Sequence, residues 1–193
     1  MRHTRRDLLR TLAGLAACGP AAGPAAGPAA GQESAFVQAL RTGGCAVLIR
    51  HALTEPGIGD PPGFSLAVCS SQRQLSPAGR EQARSIGRWF GQQGLRPERV
   101  FSSLWCRCKD TADLAFGAHQ AWPALNSTFG QASLQPAQTR QLRERLASMQ
   151  PGRFEVWLTH QVNMTNLTSD YPAMGEAFVV SPDGRLLARW AWS

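Results

Sequence analysis

The chain has 193 residues, enough for one domain with its own core, and carries 20 basic against 13 acidic side chains, a net charge of +7. Part of that excess is terminal: setting aside Arg2, Arg5, Arg6, Arg10 and Asp7 takes the 20 basic residues to 16 and the 13 acidic to 12. Lys109 is the only lysine and no basic run is interleaved with aromatics, which argues against a nucleic-acid partner; an arginine excess suits a small anionic substrate.

In chain order, Thr4-Arg5-Arg6-Asp7-Leu8-Leu9 is a twin-arginine pattern opening the apolar stretch Leu8 to Ala17, which predicts an export signal over 1–18. That stretch is too short to span a bilayer as a helix. Leu15-Ala16-Ala17-Cys18 fits a lipobox, so Cys18 is a candidate for lipidation and membrane attachment, with an ordinary cleavage site nearby as the alternative. The expected location is periplasmic, as a membrane-anchored lipoprotein if Cys18 is modified. Ala-Ala-Gly-Pro repeats follow, so 19–33 reads as a flexible tether and 34–193 as the folded domain.

Within the domain, Ser34 to Thr42 predicts a helix closed by Gly43-Gly44, and Cys45 to Ile49 a buried strand of continuous apolar character. Thr54 to Gly63, rich in Gly and Pro, predicts a loop. Ser76 is a candidate N-cap with Pro77 at the first helical position, and Ala83, Ile86, Trp89 and Phe90 recur at helical spacing. A second strand over Val100 to Ser103 precedes a helix from Asp110 to Phe116. A further helix spans Gln138 to Met149, then a strand Phe154 to Thr159. Ala177 to Val180 and Leu186 to Trp192, separated by Pro182-Asp183-Gly184, predict a closing hairpin. Alternating strands and helices indicate a three-layer α/β/α sandwich with a mostly parallel central sheet.

Beyond Cys18 there are four cysteines, Cys45, Cys69, Cys106 and Cys108. They suit an oxidising compartment and at least one disulfide, with three pairings open. Cys106-Arg107-Cys108 is spaced too tightly for a zinc knuckle and has no partner pair, so no metal is expected.

The chemistry lies where apolar runs end in ionisable groups. Arg50-His51 closes the first strand, His160 follows the run Phe154 to Thr159, and Arg107 follows the second strand. In open α/β sheets the carboxyl edge of the strands binds ligands. A neutral imidazole can attack phosphorus, arginine forks can hold the phosphoryl oxygens, and a second, protonated imidazole can add charge. Trp89, Trp105 and Trp157 are expected in the core, and His119 has no assigned role.

Four blocks spread over roughly 45–180 resemble the histidine phosphatase superfamily, the phosphoglycerate mutase-like proteins. Leu48-Ile49-Arg50-His51-Ala52-Leu53-Thr54 is similar to its opening signature and Leu75-Ser76-Pro77-Ala78-Gly79-Arg80-Glu81-Gln82-Ala83 to its first helix start. Ser102-Ser103, Arg107-Cys108 and Thr111-Ala112 resemble the block bearing the second arginine, and Thr159-His160 the second histidine. The resemblance implies a phosphoglycerate mutase-like fold and a phosphatase needing no cofactor. It makes His51 the phosphorylated nucleophile, and places Arg50, Arg107, Thr54 and His160 around the phosphate.

The general acid is open. Gln161 follows His160 where some relatives carry Asp. Glu176 is the favoured candidate, Glu55 the second, and use of no protein acid the third. Asp60-Pro61-Pro62-Gly63-Phe64, Gln72-Arg73 with Leu75-Ser76, and His160-Gln161-Val162-Asn163 resemble a compact branch that includes lipopolysaccharide core heptose phosphate phosphatases. This implies an open site and an exported phosphate-monoester phosphatase, acting on a small phosphorylated substrate or envelope glycolipid phosphate. The alternatives are a non-catalytic phosphate- or lipid A-binding module and a phosphohistidine or phosphoramidate phosphatase.

Overall fold

A computed structural model describes residues 28–192, so the export signal, Cys18 and most of the tether lie outside the described residues. In chain order the elements are α1 (Pro28–Thr42), β1 (Cys45–Arg50), α2 (Pro77–Gln92), β2 (Arg99–Ser102), α3 (Cys106–Phe116) and β3 (Gln120–Ala121). They continue with α4 (Gln135–Ala147), β4 (Phe154–Thr159), α5 (Gln161–Thr168), β5 (Ala177–Val180) and β6 (Leu186–Trp190). Six strands form one sheet in the order β3-β2-β4-β1-β5-β6.

The α/β/α sandwich is the expected one, but the sheet is mixed. β1 pairs with β4, β4 with β2 and β2 with β3 in parallel, while β1–β5 and β5–β6 are antiparallel, the last being the expected closing hairpin. Strand alternation separates two cores. Val47, Ile49, Val156 and Leu158 face Phe36 and Leu40 of α1, Ile86 and Phe90 of α2 and Cys108 and Ala112 of α3. Leu48, Trp157 and Phe178 face Leu142 and Leu146 of α4 and Met164 and Leu167 of α5. β1 and β4 are apolar along nearly their whole length because both faces are covered.

Several elements depart from the sequence reading, among them the two-residue β3, which was not expected. α1 starts at Pro28, inside the stretch read as tether, because proline fits a helix's first turn; Glu33 there accepts from Trp89 Nε1 at 2.7 Å. α3 starts at Cys106 rather than Asp110. Its N-cap Trp105 supplies no capping side chain, and Gln72 Oε1 instead takes the Cys106 N–H at 2.9 Å, a partner remote in sequence. α5 was not expected at all: its eight residues, rich in Thr and Asn, carry little helical signal. Among the described residues no helix is long and apolar enough to cross a membrane.

Candidate active site

Strand register brings the chemical groups together. Arg50 stands opposite Thr159 across β1 and β4, so the next residues, His51 and His160, leave the sheet side by side, their rings 5.5 Å apart. The His51 N–H donates to Thr159 O at 3.0 Å. Ser102 stands opposite Leu158, which puts Ser103 next to the histidines; its hydroxyl lies 2.9 Å from His160 Nε2. Arg107, in the first turn of α3, completes the group. Arg50, His51, Arg107 and His160 line one cavity of about 500 Å³.

The backbone around His51 is held by side chains of the other motif blocks. Thr111 accepts from Ala52 N–H at 3.1 Å and donates to Arg107 O at 2.7 Å, linking the loop after His51 to the first turn of α3. Ser76 caps α2, accepting from the Gly79 N–H at 3.0 Å. Gly79 must lack a side chain, because a Cβ there would lie 1.8 Å from Leu53 O. Gln82 accepts from Leu53 N–H and donates to Met174 O. The spacing of Ser76, Gly79 and Gln82 in the sequence thus serves to dock α2 against the loop after His51.

The imidazoles are deprived of charge. Burial, then Arg107 and Arg50, bring His51 down to about 3 despite its hydrogen bond to Ala52 O. Burial likewise puts His160 well below the usual range, with Arg107, His51, Arg50 and Arg73 adding to the effect. The expected protonated second imidazole is therefore neutral in this structure. His51 Nδ1 lies 3.0 Å from Ala52 O. A carbonyl only accepts, so Nδ1 carries the proton and Nε2 keeps its lone pair.

The electrostatic field is strongly positive. Arg73, given no role from sequence, also lines the cavity. Burial, with Arg73 and Arg107 close by, holds Arg50 below the ordinary guanidinium value, and burial with Arg107 does the same to Arg73. Arg50 Nη1 donates to Pro172 O at 3.0 Å. Arg50, Arg73 and Arg107 each retain a buried Nε with no hydrogen-bond partner, an arrangement that suits an anion.

Several sequence assignments are corrected by position. Glu176 does not line the cavity: its Oε1 accepts from Arg189 Nε at 2.6 Å and its Oε2 from Ala173 N–H at 2.7 Å. It is a buried carboxylate just before β5, with both oxygens taken by these donors. Glu55 is exposed and also outside the cavity. Thr54 Oγ1 points to Met174 Sδ at 3.7 Å, and Thr54 is not among the lining residues. Trp89 and Trp157 are core residues as expected, but Trp105 is both buried and part of the cavity wall.

The carboxylate that does line the cavity is Asp60. Its side chain is 6% exposed; Oδ1 accepts from Arg107 Nη1 at 2.7 Å and from the Arg73 N–H at 2.9 Å, and Oδ2 from Trp105 Nε1 at 2.9 Å. Burial raises its pKa, but the Arg73 N–H, Arg107 and Trp105 outweigh that and keep it below the usual value. Asp60 and Arg73 both sit in segments singled out for their resemblance to the compact branch, yet nothing in their local sequence assigns them a role.

The same segment is covalently attached to the start of α3. Cys69 and Cys106 form a disulfide, joining a short 3₁₀ turn (Cys69–Ser71) to the residue before Arg107. Cys45 and Cys108 are buried free thiols, pushed up to about 12 by burial.

Residues 46–164 match a family model described as the histidine phosphatase superfamily (branch 1). Among solved structures, the chain is similar to a phosphoglycerate mutase from Thermus thermophilus, at 19% identity over 77% of this chain and 99% of that one, with a TM-score of 0.55. It is also similar to a mycobacterial glucosyl-3-phosphoglycerate phosphatase, at 15% identity over 71% of this chain and 92% of that one, with a TM-score of 0.53. At these identities the likeness is one of fold. The search of curated proteins returned no match.

Proposed function

This chain belongs to the histidine phosphatase superfamily, branch 1, and on that premise we propose that it hydrolyses a phosphate monoester through a phosphohistidine on His51. The observation that carries this reading is the pairing of an Nε2 lone pair, fixed by the Nδ1–H to Ala52 O bond, with three guanidiniums whose buried Nε donors are free.

The ester's phosphoryl group binds against Arg50, Arg107 and Arg73. His51 Nε2 attacks phosphorus, and the arginines hold the equatorial oxygens as charge spreads over them. His160, anchored near Ser103, borders the same oxygens. A bound dianion offsets the arginine field that keeps both imidazoles neutral, so His160 gains a proton and a donor role as the ligand arrives. Water then cleaves the phosphohistidine and restores the imidazole.

The finer reading is an exported enzyme acting on a cell-envelope sugar phosphate. Its support is the twin-arginine pattern with Cys18, a disulfide of the kind that persists in oxidising compartments, and a cavity of about 500 Å³, roomy beyond a phosphate alone. Purified protein should release phosphate from sugar and aryl phosphates, and His51→Ala should reduce that release to background. Full activity in His51→Ala would reject the reading.

A further inference from the structure

We propose that Asp60 is the acid that protonates the leaving oxygen, primed by the same phosphate that displaces it from Arg107. The proposal rests on the phosphohistidine reading above and concerns a residue to which neither the sequence nor the family resemblance gives a role.

Three observations converge. Among the described residues, Asp60 is the carboxylate in the wall of the cavity that holds both histidines. It is nearly enclosed and bonded through both oxygens, so its position is defined. And its main charged partner, Arg107 at 2.7 Å, is itself a phosphate ligand of the proposed reaction. The carboxylate thus occupies one prong of the anion clamp.

A phosphate dianion that takes the Arg107 fork removes one of the three donors that hold Asp60 below its usual value, leaving the Arg73 N–H and Trp105, and puts negative charge beside it. Both changes favour the protonated carboxyl. The charged and titratable groups around Asp60 are Arg107 from α3, Arg73 from its own segment, Arg50 at the end of β1 and His51 just after it, His160 after β4, and the Cys108 thiol of α3. Apart from the two imidazoles and the thiol, all of these are cations that the bound phosphate offsets.

The proton enters with the substrate, as a phosphate monoester monoanion, or from water. In the first step the bond from His51 Nε2 to phosphorus forms and the phosphorus–oxygen bond breaks. Its electron pair stays on the leaving oxygen, which takes the Asp60 proton. In the second step a water oxygen attacks phosphorus and the nitrogen–phosphorus pair returns to His51. The water's proton goes to Asp60, restoring the acid.

The test compares substrates with poor and good leaving groups. Asp60→Asn keeps acceptor and shape but holds no transferable proton. It should lose about 10²- to 10⁴-fold in kcat on an alkyl phosphate, with less than about tenfold loss on p-nitrophenyl phosphate, whose leaving group departs unaided. The wild type's alkyl phosphate rate should fall at alkaline pH as the carboxyl ionises, and the variant should lack that limb. If Asp60→Asn does not fold, the wild type decides alone: with an acid in place, rates across a series of phosphates depend only weakly on leaving-group basicity. Equal slowing of both substrates, no slowing of either, or a steep wild-type dependence would each overturn the proposal. All three can occur while phospho-His51 still forms, which would leave the phosphatase reading standing.

Discussion

The two walls of the cavity are held by different means. One wall is the carboxyl edge of β1 and β4, where sheet register sets His51 beside His160 and backbone hydrogen bonds fix both. The other is the segment 54–73, which has little regular structure and contributes Asp60 and Arg73. It is held by the Asp60–Arg107 ion pair, the Gln72 bond to Cys106 and the Cys69–Cys106 disulfide. The difference separates reactivity from capture. His51 and Arg50 stand at the end of strands covered on both faces, while the other two arginines of the proposed clamp come from a helix start and a stapled loop.

Changes to the clamp should have the largest effects. Arg107→Lys should lose nearly as much activity as Arg107→Ala, on the order of a hundred- to thousandfold, because a point charge cannot replace the bidentate fork. Steady-state kinetics on an aryl phosphate measures this; a lysine variant with most of the wild-type rate would mean that Arg107 acts as a diffuse charge.

Removing the staple should weaken the loop wall more than the sheet wall. Cys69→Ser, or reduction, should lower stability by about 2–4 kcal/mol for a loop of this kind and raise KM as Arg73 and Asp60 lose their fixed position. Thermal unfolding with and without reductant, paired with kinetics, checks it. An unchanged KM would show that side-chain contacts alone hold the clamp.

The smallest effect is expected at Glu176, outside both walls. Glu176→Gln leaves one of the two donors on this buried carboxylate, Arg189 Nε or the Ala173 N–H, facing an amide NH2, so it should lower stability by about 1–3 kcal/mol without moving a group of the cavity. Any change in rate should be equal for alkyl and nitrophenyl phosphates. A selective loss on the alkyl phosphate would return the acid's role to Glu176 and remove it from Asp60.

The contrast also explains what the sequence disclosed. The apolar runs 45–49 and 154–159 bury both faces, so their strands and the groups at their ends were legible from composition alone. The block from Ser76 to Ala83 was legible as a helix start, and its cap was correctly placed. Asp60 was not: it lies 47 residues from Arg107 along the chain, in a Gly- and Pro-rich loop without periodicity. Glu176 is the favoured acid from sequence because sequence does not show that Arg189, on the neighbouring strand, already holds it. The start of α3 was hidden for a similar reason, its cap coming from Gln72. The pairing of Cys69 with Cys106, open among three choices, was settled by the same folding of the loop onto α3.

The depressed His51 gives the nucleophile its lone pair throughout the neutral range. With its pKa near 3 in the folded protein, against about 6.5 for a free imidazole, kcat/KM should show no loss from His51 protonation near pH 6.5. The unfolded chain binds protons more readily than the folded one below that value, so stability should decline as pH falls from about 6.5 toward 3.

The most direct measurement is to trap the intermediate. Protein mixed briefly with an aryl phosphate, denatured without acid and digested, should carry one phosphoryl group on the peptide containing His51, and none should form in His51→Ala. Phosphate located on His160, or turnover with no covalent phosphoprotein at any time, would contradict the account.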